Sequence, residues 1–240
     1  MIYPDWPAPD TVKAVTTTRQ GGVSRAPFTA LNLADHVGDR PESVQQNRDL
    51  LRRRLRLPTE PVWLEQVHGC SVVTCGSAGP RPRADASYAD RPGVVCAVLT
   101  ADCLPVLFCD RQGSRVAAAH AGWRGLAGGV LESTVAALAL PPGQLLAWLG
   151  PAIGPQVFEV GMEVRRAFVE QHVEADGAFA AQANGRWLAD LYRLARIRLR
   201  ALGVNAVYGG GLCTFTDRQR FYSYRRDKVT GRMVTLIWLD

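Results

Sequence analysis

The sequence predicts an α/β fold with mixed sheets. Short apolar, β-branched runs alternate with segments of helical periodicity. Short glycine turns near Gly69 and Gly113 join strand-like runs directly, which a purely parallel sheet does not allow. At 240 residues the chain has room for one large domain or two small ones, and the Pro- and Gly-containing stretch 76–84 is too short to divide it. Its 47% hydrophobic content suffices for a sizeable core.

In chain order, residues 12–18 (VKAVTTT) read as a first strand. Gly21-Gly22 then make a turn, suited either to plain chain reversal or to facing N–H groups toward an anion. Residues 39–57 are the clearest helix. Pro41 fits its first turn, Asp39 and Glu42 its positive end, and Val44, Leu51 and Leu55 form one stripe. Asn47 and Arg48 interrupt that stripe and need partners, either a neighbouring backbone or a pocket. Arg52, Arg53, Arg54 and Arg56 read as a solvated face. Residues 61–75 read as strands around His68, and 76–84 as a loop.

Residues 94–126 are the centre of the chain. Runs 94–100, 104–108 and 116–119 suit strands covered on both faces. A glycine turn after His120 leads into a helix over 126–140, weakened by Gly128 and Gly129. Its N-terminus beside Arg124 is a candidate anion site. A strand over 145–149, a turn at 150–155 and a helix over 160–171 follow, with His172 structural at the helix end. Residues 173–186 read as a loop and 187–202 as a helix ended by Gly203. Residues 204–208 and 233–239 are further strands.

No apolar run is long enough to span a bilayer, and the start, MIYPDWPAPDTVKAV, has no secretory pattern, so the expected location is cytoplasmic. The six cysteines lack a regular framework and read as reduced thiols, with Cys96, Cys109 and Cys213 structural. The net charge of +6 favours anionic partners such as phosphate or a nucleotide. No basic stripe interleaved with aromatics marks a nucleic-acid surface.

Cys103, His68 and His120 each close an apolar run beside Gly or Pro. One thiol and two imidazoles make a candidate metal set, because catalytic zinc takes three protein ligands and keeps one place open. The competing reading is a buried, inert Cys103 and two hydrogen-bonded loop histidines.

WLEQVHG (63–69), TADCLPV (100–106) and HAGWRG (120–125), in that order, resemble the family once described as multicopper polyphenol oxidases or laccase-domain proteins. Its members are also described as purine nucleoside phosphorylases and peptidoglycan editing factors. TTRQGGVSRAPFTALNL (17–33), HVGD (36–39), GPAIGPQVFEVG (150–161) and FYSYRRDKVTGRM (221–233) extend the resemblance over nearly the whole chain. It implies a single-domain α/β/β/α sandwich over 1–240. It implies zinc on His68, Cys103 and His120, with copper as the other candidate. The implied reaction is phosphorolysis of adenosine and inosine to base and ribose 1-phosphate, with adenosine deamination and methylthioadenosine phosphorolysis beside it.

In that reading His68, Cys103, His120 and Asp102 are catalytic, while Asn47, Arg48 and Arg225 bind substrate. Asp85, on the strand entering the site, is a candidate support for the ligands. The expected partners are a purine nucleoside and phosphate, with no nucleic acid and no membrane, and the chain a monomer or weak homodimer. One alternative makes Cys103 a nucleophile and His120 its base, hydrolysing an amide in a peptidoglycan precursor such as UDP-MurNAc carrying a wrong first amino acid. Another is a nucleotide-binding module without turnover. Oxidase chemistry is disfavoured, since a multicopper centre needs many histidines and the chain has four. The chain departs from the family pattern at Gln156, Phe158 and Phe215.

Overall fold

The computed structural model describes residues 1–76, 79 and 81–240. Ser77, Ala78 and Pro80, in the loop expected over 76–84, lie outside the described residues. In chain order the elements are β1 (Val12–Thr16), α1 (Pro41–Leu55), β2 (Val72–Thr74), β3 (Ala86–Ala89), β4 (Val95–Thr100), β5 (Leu104–Asp110) and β6 (Val116–Ala121). They continue with α2 (Trp123–Gly128), α3 (Val130–Leu138), β7 (Leu145–Leu149), β8 (Glu159–Val160), α4 (Met162–Val169), β9 (Phe179–Ala181) and β10 (Trp187–Ala189). The last are α5 (Leu191–Ala201), β11 (Ala206–Gly209), α6 (Tyr224–Asp227) and β12 (Met233–Leu239).

These elements stack as α/β/β/α. The outer sheet runs β1-β12-β4 and the central one β11-β7-β5-β6-β3-β2. Alternation along β4 sends Val95, Ala97 and Leu99 to the α1 side, where they meet Leu51. Cys96 and Val98 point the other way, onto Leu107, Cys109 and Ala118 of the central sheet. The far face of that sheet, including Val106, Phe108 and Ala119, packs under Leu131 of α3, Val164 of α4 and Leu194 of α5. β11 on β7 and β2 on β3 are parallel pairs and the other pairs are antiparallel, so the sheet is mixed as expected. A third, small sheet orders β8-β10-β9.

Several elements differ from the sequence reading. The helix expected over 126–140 starts at Trp123 and breaks at Gly129, whose φ is 103°, giving α2 and α3. The helix expected over 187–202 is a strand followed by α5, which Asp190 caps by accepting from Arg193 N. Val160 likewise belongs to β8 rather than α4. Residues 61–70 form no regular strand. Isolated bridges from Val62 to Cys96 and from Glu65 to Arg83 hold them. Apart from the Gly129 break, each case is an apolar run too short for its periodicity to separate strand from helix or extended loop.

Asn47 is fully buried on α1 and bonded only to the preceding loop. Its Nδ2 donates to Ser24 Oγ, Ala30 O and Asn32 O, and its Oδ1 accepts from Val23 N. A Cβ on Gly22 would sit 2.5 Å from that Oδ1 and from Ala30 O. The glycine pair therefore admits Asn47 rather than an anion. Asn47→Ala leaves several buried backbone groups unpaired, and thermal unfolding should show a loss of about 3 kcal/mol.

Candidate functional site

The site lies where the outer and central sheets meet at the ends of β4, β5 and β6. Cys103 opens β5 after a turn through Asp102, whose φ is 95°. His120 is on β6 and is buried. His68 comes from the irregular segment, at φ 61°. Their ligand atoms lie within 4.8 Å of one another, and Cys103 Sγ is 3.7 Å from His68 Nε2. The two imidazoles meet edge to face at 4.8 Å between centroids.

Asp85 organises this trio. Its fully buried carboxylate accepts from Val67 N, His68 N and Gly69 N at 3.2, 2.9 and 2.6 Å, pinning the turn that carries His68. Its Oδ1 is also 2.9 Å from His120 Nδ1, while its carbonyl accepts from His120 N at 2.7 Å. One residue thus positions two of the three candidate ligands. With Nδ1 paired to a carboxylate, His120 keeps Nε2 for the cleft. Gly122 completes the packing, since a Cβ there would lie 2.8 Å from His68 Cδ2 and 3.0 Å from Cys103 Sγ.

The trio fits a cation. Zinc bonds of about 2.0–2.3 Å place tetrahedral ligands roughly 3.3–3.7 Å apart, so closing this set onto one ion needs a shift of under ~1.5 Å. A thiolate with two imidazoles is a zinc-type donor set, and the carboxylate behind His120 is its usual support. Among the described residues this is the cluster with metal-ligand geometry.

Electrostatics favour the charged forms. Burial opposes ionisation of Cys103, but His120 and the hydrogen bonds of both imidazoles outweigh it and bring the thiol to about 6. Burial also opposes charging of His120, but the Cys103 thiolate and Asp85 raise it to about 9. Without metal the two titrate as a thiolate–imidazolium pair. In chelator-treated protein, iodoacetamide labelling of the Cys103 peptide should rise with a midpoint near about pH 6, against about 8.5 for an ordinary thiol.

The trio borders a cleft of about 460 Å³. Arg124 and Arg232 bring positive charge to it, His36, Gln66 and Tyr224 add polar groups, and Leu99, Thr100 and Ala101 form a wall. Gln66 is fixed by a two-way bond to the backbone of Leu99. Thr100 Oγ1 is buried and has no hydrogen-bond partner among the described residues. Sequence reasoning missed the contributions of His36, Gln66, Thr100, Tyr224 and Arg232. All five lie inside the quoted motifs, which were the available signal.

The other predicted site residues stand behind this cleft. Of the two roles open to Asn47, bonding a neighbouring backbone or reaching a pocket, its hydrogen bonds are to the loop. Arg48 stacks on Trp63 at 4.1 Å, donates to Leu33 O and lies 3.6 Å from Asp35, whose other oxygen is 3.4 Å from His36. It therefore supports the His36 segment rather than lining the cleft. Arg225 turns its guanidinium to Glu159 O and the Phe158 ring. Asp102, which the sequence leaves open between proton transfer, support of the thiolate and a turn cap, accepts from Thr214 Oγ1 and Arg225 N, both at 2.6 Å, and so holds the Cys103 turn. The candidate anion site at the helix start is reduced to the Arg124 side chain, because α2 is a six-residue turn. His172 lies outside the cluster, as expected.

Known proteins resemble the chain along its length. A Pseudomonas aeruginosa protein named purine nucleoside phosphorylase is 62% identical over 240 residues, spanning all of this chain and 98% of its own. An Escherichia coli protein of the same name is 56% identical over the same span. A solved Neisseria meningitidis protein of the DUF152 family superposes with a TM-score of 0.96 at 54% identity, covering 100% of this chain and 98% of that one. YlmD from Geobacillus stearothermophilus superposes at 0.90 with 32% identity, over 96% of this chain and 92% of its own. The family model described as multi-copper polyphenol oxidoreductase laccase matches residues 13–240. Because that match runs from the first strand to the last residue and includes all three side chains of the trio, the chain belongs to the multi-copper polyphenol oxidoreductase laccase family.

Proposed function

We propose that this protein is a zinc-dependent purine nucleoside phosphorylase, cytoplasmic, acting on adenosine and inosine. Adenosine deamination and methylthioadenosine phosphorolysis are assigned to the same site. The observation that carries the reading is the convergence of His68, Cys103 and His120 on a cationic cleft, in a chain 62% identical to a protein named for this reaction.

Bound by the trio, zinc supplies Lewis-acid polarisation and an open coordination place. Copper is the other candidate ion. Arg124 and Arg232 hold the phosphate, bringing two positive charges to a dianion. Tyr224 offers an aromatic face to the base. Burial holds His36 below its ordinary value despite Asp35, so near neutral pH it is an uncharged imidazole; with Nδ1 turned to Asp35, its Nε2 is left to accept from the nucleoside. Thr100 Oγ1 is buried in the cleft wall and makes no bond among the described residues. Thr100→Val should therefore leave the melting temperature unchanged or slightly higher, as a thermal melt would show.

The test is base release from inosine, adenosine and methylthioadenosine, with and without phosphate and chelator. Phosphate-dependent release that chelation abolishes supports the reading. A chelated protein with full activity overturns it.

The amide-hydrolase reading has one observation in its favour: Cys103, His120 and Asp85 follow one another as thiolate, imidazolium and carboxylate. It requires metal-free activity on a peptidoglycan precursor, which the same chelator arm measures. Binding of inosine and phosphate without turnover leaves the nucleotide-binding module.

A further inference from the structure

Away from the cleft, two of the free cysteines face each other. Cys75 Sγ and Cys96 Sγ are 3.3 Å apart, and both residues are buried, at 2% and 0% exposure. Cys96 lies on β4 in the outer sheet, and Cys75 directly follows β2 in the central sheet. A disulfide has an S–S bond of about 2.05 Å, so the sulfurs must approach by roughly 1.2 Å.

A buried cysteine is ordinarily inert. This pair differs in access and chemistry. β2 is a three-residue edge strand, half-exposed throughout and, among the described residues, paired only with β3. Short edge elements of this kind open locally at low free-energy cost, which brings Cys75 to solvent without global unfolding. The hydrogen bond between the thiols holds Cys75 below the ordinary thiol value, while burial pushes Cys96 well above it. Position assigns the roles: Cys75, next to the edge strand β2, meets the small disulfide first, and Cys96, within β4, resolves the mixed disulfide.

We propose that Cys75 and Cys96 are a redox pair that closes to a reversible disulfide by exchange with a small disulfide such as oxidised glutathione. On opening, Cys75 gives its proton to solvent and its thiolate attacks one sulfur of the small disulfide, whose S–S bond breaks and releases one small thiolate, which is protonated by solvent. Cys96 then gives its proton to solvent and attacks the Cys75 sulfur of the mixed disulfide. That bond breaks and the second small thiolate leaves. The protein dithiol loses two electrons, and the small disulfide gains them as two thiols. The resulting bond ties the two sheets together and closes a loop that contains Asp85. Closure of a loop of this size should raise the melting temperature by about 5–10 °C.

The test equilibrates the purified protein in glutathione buffers from fully reduced to fully oxidised. Samples are acid-quenched, denatured, alkylated and mapped by mass spectrometry. The expected product joins the Cys75 and Cys96 peptides, two hydrogens lighter than the dithiol, and reverts with dithiothreitol. Cys96→Ser should stop at a glutathione adduct on Cys75. The proposal is overturned if both cysteines stay fully alkylatable under oxidised buffer, or if either pairs with another cysteine instead. Mapping of the wild-type chain decides the matter even where the variant does not fold, and the outcome is independent of nucleoside turnover.

Discussion

Cys103→Ala is expected to abolish stoichiometric zinc and to lower phosphate-dependent base release by at least about 10³-fold, the equivalent of roughly 4 kcal/mol of transition-state stabilisation. Two imidazoles alone make an incomplete catalytic zinc site. The thiol is partly exposed at the cleft wall rather than packed in a core, so the variant should fold with a melting temperature within a few degrees of wild type. Metal analysis beside the release assay checks both halves. Stoichiometric zinc retained in Cys103→Ala would remove Cys103 from the ligand set and overturn the three-ligand site.

Asp85→Asn is expected to have the second largest effect, and on two observables. An asparagine at this position offers one acceptor oxygen, whereas the carboxylate takes four donors from Val67, His68, Gly69 and His120. The amide NH₂ would face backbone N–H groups. A stability loss of about 3–5 kcal/mol follows from disrupting this buried charged network. Metal affinity should fall about 10–100-fold through the loss of the His120 support. Thermal melts and zinc competition titrations measure the two separately.

The pH dependence of the metal-free protein has a sign at each end. Burial raises the Asp85 carboxyl, but His120 and the Gly69 N–H outweigh it, so its folded value lies below the ordinary one. Its stabilisation is therefore present above about pH 4 and is lost as pH falls through the lower folded value. His120 is raised to about 9, so its contribution is complete below its unfolded value near 6.5 and is lost as pH rises through about 9. Melts of chelated wild type should show both limbs, and Asp85→Asn should flatten the acid one.

Much of this architecture was open to direct reading. The runs that became β4, β5, β6, β7 and β12 are apolar because each is covered on both faces, and local composition records that burial. α1 was legible from its stripe and from Pro41. The elements that came out differently are those whose identity depends on a neighbour. Residues 187–189 became a strand because β8 and β9 flank them, and 61–70 stayed irregular because its partners are isolated bridges and the Asp85 carboxylate. The polar residues divided the same way. Asn47 presents the same pattern in a sequence whether it binds a ligand or a loop, and only the loop's arrival at its side chain distinguishes the two.

By itself the sequence determined the apolar strands and the mixed sheets, because burial on both faces is written in residue types; the α/β/β/α layers and the choice of His68, Cys103 and His120 as one set came from the family resemblance. Asp85 was a candidate support in the sequence, but only tertiary structure decided that its carboxylate bonds both the His68 turn and His120, that Asp102, Arg48 and Arg225 stand behind the cleft, and that Thr100, His36 and Arg232 line it. Those roles depend on where hydrogen-bond donors from distant segments arrive, and no local pattern encodes the meeting of groups separated by tens to hundreds of residues.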